Sequence, residues 1–418
     1  MNANANAKAN ANANAKANAK ADRKARPERD SASPLLEIVE NARIVICCGS
    51  GGVGKTSTAA AVALRAAERG RRTCVLTIDP ARRLAQALGL DLLANTPKPV
   101  RGKGVPSAGD GAGPGSLDAM MLDMRRTFDE VIERYARDEE QLDRILANRF
   151  YQRLSSTLAG THEYMAMEKL YELHESHRYD LLVVDTPPTR SALDFLDAPD
   201  RLNELLDARA FRLLIAPARR VGGGYLKGLN LATTAMTRMV RRLTGSELLA
   251  EVGEFFAAFE GMYDGFKERA QRVYELLKLG STAFVVVATP EAGALREAGY
   301  FANRLAADRM PLGALVVNRV HQARPIPEVP ASALERLAGG GADARLLAEL
   351  LEQHHALEAL AAAEQERIAS LLARVPNIGV VQVPLLADDV HDLAGLRRLG
   401  ARLFAPIPVS PGHPDGVG

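Results

Sequence analysis

Residues 49–56 read GSGGVGKT, and this stretch decides the expected fold. It matches the pattern G-x-x-x-x-G-K-[ST], in which a glycine-rich turn joins a strand to a helix and binds phosphate through its main-chain N–H groups. Lys55 can place its ammonium group beside the terminal phosphates, and Thr56 can offer a hydroxyl to Mg²⁺. The pattern therefore predicts a nucleotide site with these contact residues: Gly49, Ser50, Gly51, Gly52, Val53, Gly54, Lys55, Thr56 and Ser57.

The flanking sequence supplies a strand and a helix in the required order. Residues 42–48, ARIVICC, form a short apolar run of the buried-strand type. Residues 57–69 are rich in alanine and other helix formers, and Gly70 is typical of a helix end. Further strand candidates are residues 73–78, 181–184, 283–288, 313–317 and 380–383. Apolar runs that alternate with helical stretches predict a P-loop NTPase fold of the α/β class, a mostly parallel twisted sheet flanked by helices.

We expect one folded domain over residues 34–406. Within it, long helical patterns over about 117–178 and 200–278 indicate two insertions that form a helical subdomain at the edge of the sheet. Residues 94–116 are rich in glycine and proline, which is typical of a mobile surface loop. Residues 407–418 are expected to be a flexible tail.

The first 33 residues are a low-complexity segment of Asn, Ala and Lys, and we expect them to be disordered. They contain seven Lys/Arg and three Asp/Glu, so that a net charge of +2 for the chain leaves −2 for the rest. A near-neutral body argues against a nucleic-acid partner. Because no run of 18 apolar residues occurs, no transmembrane segment is expected. Three cysteines in predicted core strands, at 47, 48 and 74, indicate reduced thiols in a cytoplasmic protein.

Two aspartates follow predicted strands at the same edge of the sheet as the glycine-rich loop. Asp185 follows residues 181–184, and Asp79 follows residues 73–78. Carboxylates in such positions beside a P-loop bind Mg²⁺, partly through water, or orient the attacking water, although they could merely cap a helix or turn. We therefore expect Thr56, Asp79 and Asp185 at the metal, and a catalytic set of Lys55, Asp79 and Asp185.

Six segments together carry a family resemblance. They are GSGGVGKTS at 49–57, TIDPARRLAQALG at 77–89, DTPPTRSALDFLDAP at 185–199, ATPEAGALREA at 288–298, VVNRV at 316–320 and VPLLADDV at 383–390. In this order they resemble the ArsA-type ATPases, which include the catalytic subunit of the arsenite pump and the ATPase that guides tail-anchored membrane proteins. The resemblance implies a dimeric, Mg²⁺-dependent ATPase whose helical subdomain opens and closes on a protein or anion client.

The resemblance also implies roles for residues outside the loop. Asn318 would contact adenine, with Pro384 and Leu385 nearby, although an Asn at a strand end also suits a plain turn. A partitioning ATPase of the same superclass is a weaker alternative, since neither a terminal membrane-binding helix nor a basic surface is evident.

At Ser50 the sequence departs from the family, which usually has a lysine that reaches the partner subunit's phosphates. A serine cannot supply that charge, so we expect either a slow homodimer or a heterodimer with a lysine-bearing paralogue. Arg190 could replace the missing charge or be a solvated helix residue. A weakly catalytic or non-catalytic regulatory subunit is the alternative function.

The methionines and basic residues of the helical insertions each allow two interpretations, one of which is client or membrane binding. Eight methionines in the helical insertions suit a flexible apolar groove for a hydrophobic protein, or are ordinary core: Met120, Met121, Met124, Met165, Met167, Met236, Met239 and Met262. Residues 222–244 mix apolar and basic side chains, which allows peripheral membrane contact or a solvated face. Arsenite and zinc sites are not expected, because the helical insertions contain no cysteine.

Overall fold

The structure is a computed structural model. It describes residues 33–78, 83–90, 93–106, 115–152, 161–187, 251, 254–255, 258, 262–323, 342–375 and 378–406.

An eight-stranded sheet forms the centre of the molecule. Its strands are β1 (Ile44–Cys48), β2 (Arg72–Thr77), β3 (Lys98–Pro99), β4 (Ser116–Met121), β5 (Leu181–Asp185), β6 (Thr282–Ala288), β7 (Leu312–Val320) and β8 (Gly379–Pro384). Their spatial order is β3-β4-β2-β5-β1-β6-β7-β8. All neighbours pair in parallel except β3 and β4. This arrangement confirms the predicted α/β fold with a mostly parallel sheet.

Helices cover both faces of the sheet. They are α1 (Pro34–Asn41), α2 (Lys55–Glu68), α3 (Arg83–Ala87), α4 (Met124–Tyr135), α5 (Glu139–Leu146), α6 (Thr161–Glu175), α7 (Tyr263–Lys278), α8 (Ala292–Ala307), α9 (Ala342–Leu372) and α10 (Leu393–Leu403). One apolar core lies between the sheet and α1, α2 and α10, and a second lies beneath α4, α6, α7 and α8. None of the described helices is both long enough and apolar enough to cross a membrane.

The central strands explain the apolar runs in the sequence. Every residue of β1, β5 and β6 is buried, because helices cover both faces of these strands. Helix α2 packs closely on the sheet because its inward positions are alanines, several of them with no exposed surface. At the periphery, the Ser33 hydroxyl donates to the Leu403 carbonyl at 2.7 Å, which links the two ends of the described chain.

The predicted helical pattern from residue 117 is wrong at its start. Residues 116–121 form β4, which pairs with β2 in parallel, with Thr73 opposite Leu117 and Leu76 opposite Met120. Alanine and methionine favour a helix, but pairing with β2 and burial on the sheet override that local preference. The helical layer therefore begins at α4. The preceding segment, expected to be a loop, contributes β3, antiparallel to β4.

The described methionines of the two predicted insertions are mostly core residues. Met120, Met165, Met167 and Met262 are each at most 1% exposed and belong to the second core. Met236 and Met239 lie outside the described residues, as do all positions from 188 to 250. For these four side chains the core interpretation is confirmed.

Candidate nucleotide-binding site

The glycine-rich loop joins β1 to α2 at the carboxyl edge of the sheet. Three of its glycines have positive φ angles: 149° at Gly49, 78° at Gly52 and 97° at Gly54. A side chain at Gly49 would collide with the Val287 carbonyl, and one at Gly54 would collide with the Asn318 amide. The loop conformation therefore requires glycine at both positions, for backbone conformation and for space.

Lys55 is the first residue of α2 and is only 7% exposed. Its ammonium nitrogen Nζ donates to the Ser50 carbonyl at 2.7 Å, so the charge lies across the loop. The helix begins here, and the partial positive charge of its N-terminus adds to that of the lysine. A cation, a helix N-terminus and a glycine-rich backbone together form a site suited to phosphate.

A carboxylate and two hydroxyls meet beside the loop. Thr56 Oγ1 donates to Asp185 Oδ2 at 2.8 Å, and Thr77 Oγ1 donates to the same oxygen at 3.0 Å. Asp185 ends β5 and has no exposed surface. Hydroxyl and carboxylate oxygens are ligands that Mg²⁺ prefers. The Thr56 hydroxyl and the Asp185 carboxylate are therefore suited to hold a magnesium ion next to the glycine-rich loop.

Thr77 was missed by the sequence analysis. Its residue type is unremarkable at the end of a strand, but β2 and β5 are neighbours and place Thr77 opposite Asp185. The same pairing brings the main-chain N–H of Ile78 to within 3.0 Å of the Asp185 carbonyl. Asp79 follows Ile78 directly but lies outside the described residues, as does Arg190, so both of their roles stay predictions.

The remaining predicted contacts lie on the other side of the loop from Asp185. The Asn318 amide, near the end of β7, donates to the Val53 carbonyl in the loop at 2.9 Å. Pro384 ends β8, and the main-chain N–H of Leu385 donates to the Val320 carbonyl at 3.0 Å. The Leu385 side chain is 52% exposed. The structure thus gathers these residues at one edge, and contact with adenine stays a prediction.

The other predicted loop residues differ in exposure. Gly51 is exposed, Val53 is buried and Ser57 is partly buried. The Ser50 hydroxyl oxygen is buried and has no hydrogen-bond partner among the residues that the structure describes. In this conformation the short Ser50 side chain therefore does not extend outwards from the loop.

The three cysteines, all in β1 and β2, have no exposed surface. Burial raises the pKa of each thiol, and the Asp185 carboxylate adds to the effect at Cys47. Soft metals and metalloids bind thiolates. These thiols are therefore poorly suited to act as ligands for a metalloid.

Residues 42–328 match the family model of the anion-transporting ATPases, ArsA. Similar proteins include a putative arsenical pump-driving ATPase of Halobacterium salinarum, 32% identical over 47% of this chain and 30% of the relative. ATPase GET3B of Arabidopsis thaliana is 28% identical over 65% of this chain and 62% of the relative. ATPase ARSA2 of Chlamydomonas reinhardtii is 25% identical over 87% of this chain and 84% of the relative. The chain thus spans less than two thirds of the length of the first two.

The family match includes the glycine-rich loop, Asp185 and Asn318, whereas Pro384 and Leu385 lie beyond it. It also includes seven of the eight strands, β1 to β7. Because the match covers well over half of the 418 residues, the chain belongs to the anion-transporting ATPase (ArsA) family.

Proposed function

We propose that this chain is a cytoplasmic, Mg²⁺-dependent ATPase that binds ATP at the glycine-rich loop and hydrolyses it to ADP and phosphate. The observation that carries the proposal is the contact of Thr56 with the buried Asp185 carboxylate at 2.8 Å, beside Lys55 at the start of α2. This supports the proposal, because a cation suited to phosphates and two oxygen-bearing side chains suited to Mg²⁺ lie together.

The mechanism assigns each residue a separate task. On nucleotide binding, Lys55 would exchange the Ser50 carbonyl for phosphate oxygens, while the loop N–H groups hold the β-phosphate. Mg²⁺, held by Thr56 and Asp185, would neutralise charge on the phosphates. Asp79 would accept a hydrogen bond from a water and orient it toward the γ-phosphorus. The water oxygen then bonds to phosphorus as the bond to ADP breaks, and the water's proton passes to solvent.

We further propose that hydrolysis opens and closes the helical layer on a client, a protein or an anion. Buried Glu168 of α6 pairs with Arg134 of α4 at 3.0 Å and with Arg269 of α7, which links the three helices. These helices lie over the second core, on β5 and its neighbours, and β5 carries Asp185. A change at the metal site can therefore reach the layer through one packed unit.

Ser50 favours a second candidate, a weakly catalytic or non-catalytic subunit that regulates a lysine-bearing paralogue in a heterodimer. Its hydroxyl is neutral, short and buried in the loop, so it cannot carry charge to a neighbouring subunit. Charge supplied by a second subunit to a transferring phosphoryl group changes kcat by about 10³-fold or more. A homodimer of this chain is therefore expected to hydrolyse ATP slowly.

Steady-state phosphate release tests the enzyme proposal. We expect the rate to fall about 10²-fold or more in Lys55→Ala and in Asp79→Asn, because each removes charge or water orientation from the transition state. Lys103→Ala, which changes an exposed lysine, is the matched control and is expected to keep the wild-type rate. Equal rates in all four proteins would overturn the proposal.

Purification from native cells under Mg²⁺, ADP and aluminium fluoride tests the heterodimer. The heterodimer predicts a second, different chain in a stable complex, one that carries lysine at the position of Ser50. Recovery of this chain alone as a dimer would contradict it and favour the slow homodimer.

A further inference from the structure

Strand β7 ends in a backbone conformation that is unusual for its residue type. Arg319 has a φ angle of +61°, and the pairing of β7 with β8 shifts between Val317 and Val320. A non-glycine residue in this region costs about 1 kcal/mol or more, and it persists where surrounding contacts hold it. We call residues 318–321 the β7 turn.

The β7 turn contacts the glycine-rich loop directly. The Asn318 amide donates to the Val53 carbonyl at 2.9 Å, and Gly54 leaves no room for a side chain against the same amide. This contact holds the Asn318 end of the turn against the glycine-rich loop.

A buried carboxylate on α9 holds the other end of the turn. Glu364 is 4% exposed, and its Oε2 accepts a hydrogen bond from the main-chain N–H of His321 at 2.8 Å. Its Oε1 lies 2.8 Å from the imidazole Nδ1 of the same residue. One helical turn further on, Arg367 donates to the Pro290 carbonyl after β6 at 2.9 Å. Helix α9 thus fixes the ends of two strands that lie beside the loop.

The base of a bound nucleotide has one side of the loop available to it. Asp185 and Thr77 occupy the side toward β5 and β2, where the metal and the terminal phosphate belong. In open α/β sheets the ligand extends along the carboxyl ends of the strands. On the remaining side lie the β7 turn and the exposed Leu385, whose N–H is bonded to Val320 within that turn.

We propose that Glu364 is a positioning residue for the nucleotide base, which acts by holding the β7 turn in place. This inference rests on the proposed function, since it requires ATP at the glycine-rich loop. Glu364 is bonded to His321 and does not itself touch the nucleotide. Removing its side chain frees the His321 end of a strained turn, so the base side of the site loses order while the phosphate side keeps its contacts.

Affinities for Mg·ATP and for Mg·tripolyphosphate, measured by calorimetry, separate these two sides. Tripolyphosphate carries the phosphates without a base. In Glu364→Ala we expect the Kd for ATP to rise about tenfold and that for tripolyphosphate to stay within about twofold, since the lost hydrogen bonds act on the base side. Glu366→Ala, on an exposed position of the same helix, is the control and is expected to match the wild type for both ligands.

Three outcomes would overturn the inference, and they can be told apart. Unchanged ATP affinity in Glu364→Ala, or equal losses for both ligands, would contradict the positioning role alone. A wild-type protein that binds neither ligand would contradict the proposed function and the inference with it. Should Glu364→Ala fail to fold, Glu364→Gln replaces it in the test, because glutamine keeps an acceptor for the His321 N–H. We expect the affinity of Glu364→Gln for ATP to fall about threefold and its affinity for tripolyphosphate to stay unchanged.

Discussion

At the residue scale, the buried Asp185 carboxylate accepts hydrogen bonds from two threonines of different elements. Asp185→Asn keeps the shape and an acceptor oxygen but removes the charge that attracts Mg²⁺. We expect wild-type ATP affinity to be higher with Mg²⁺ than with EDTA, and we expect this gain to fall about tenfold in the variant. A fluorescent ATP analogue titrated under both conditions measures it.

The matched control is Asp180→Asn, at the residue directly before β5 and thus at the end opposite Asp185. Asp180 pairs with Arg72 at 2.7 Å, far from the loop, and Arg72 lowers its pKa through a side-chain hydrogen bond. This control is expected to keep the full gain from Mg²⁺. A gain that survives in Asp185→Asn would show that the carboxylate is not a metal ligand.

Alanine substitutions at Gly54 and Gly52 test whether Asn318 packs against the glycine-rich loop. Both have positive φ angles, but a side chain at Gly54 would meet the Asn318 amide, whereas one at Gly52 meets nothing within 4 Å. We expect Gly52→Ala to lower the free energy of unfolding by about 1 kcal/mol and Gly54→Ala by clearly more. Urea denaturation measures both changes.

A double variant isolates the contact. In an Asn318→Ala background the clash is absent, so Gly54→Ala is expected to cost no more than Gly52→Ala does. An identical cost of Gly54→Ala in both backgrounds would mean that Asn318 does not pack against the loop.

Much of the site was predictable from residue types and spacing alone. The loop pattern identifies Lys55 and Thr56, and a carboxylate directly after an apolar strand identifies Asp185. Thr77 and Glu364 were not predictable, because their roles depend on which strands are neighbours and on which helix covers them. Spacing along the chain does not determine which strands are neighbours.

At the scale of elements, some strands are predictable from local sequence and others depend on their neighbours in the sheet. The buried central strands β1, β5 and β6 appear in the sequence as apolar runs, and all three were predicted. Strand β4, near the edge of the sheet, contains alanine and two methionines and has a helical pattern. Its conformation is decided by pairing with β2, a contact about 40 residues away in sequence that no local preference reveals.

The helical layer offers a test of how its elements are held together. Glu168 of α6 is 1% exposed and pairs with Arg134 and with the largely buried Arg269. Burial raises the pKa of its carboxyl, which the arginines oppose. Glu168→Ala would leave Arg269 without this partner, so we expect the free energy of unfolding to fall by about 3–5 kcal/mol.

Glu175→Ala is the matched control on the same helix. Glu175 is an exposed residue at the end of α6, so its loss is expected to cost less than about 1 kcal/mol. Denaturation in urea compares the two variants. Equal costs would show that the buried carboxylate does not link the three helices.

At the scale of the whole molecule, the strand order assigns the site its two sides. Strands β5 and β2 bring Asp185 and Thr77 to one side of the loop, and β7 and the end of β8 bring Asn318 and Leu385 to the other. Helices α4, α6 and α7 of the helical layer lie over the second core with β5, whereas Glu364 of α9 is bonded to His321 in the β7 turn. The glycine-rich loop therefore lies between the side next to the helical layer, which we propose responds to the nucleotide, and the side that α9 holds in place.

The central claim is that Mg·ATP binds at the glycine-rich loop in the arrangement required for hydrolysis. A crystal structure with Mg²⁺, ADP and aluminium fluoride tests it most directly. We predict that the metal contacts Thr56 and that Asp185 lies beside it, directly or through one water. Lys55 is expected to leave the Ser50 carbonyl for the phosphate group, and the base is expected to lie along the β7 turn. A nucleotide bound elsewhere, or a Lys55 that stays on Ser50 with the loop empty, would contradict the account.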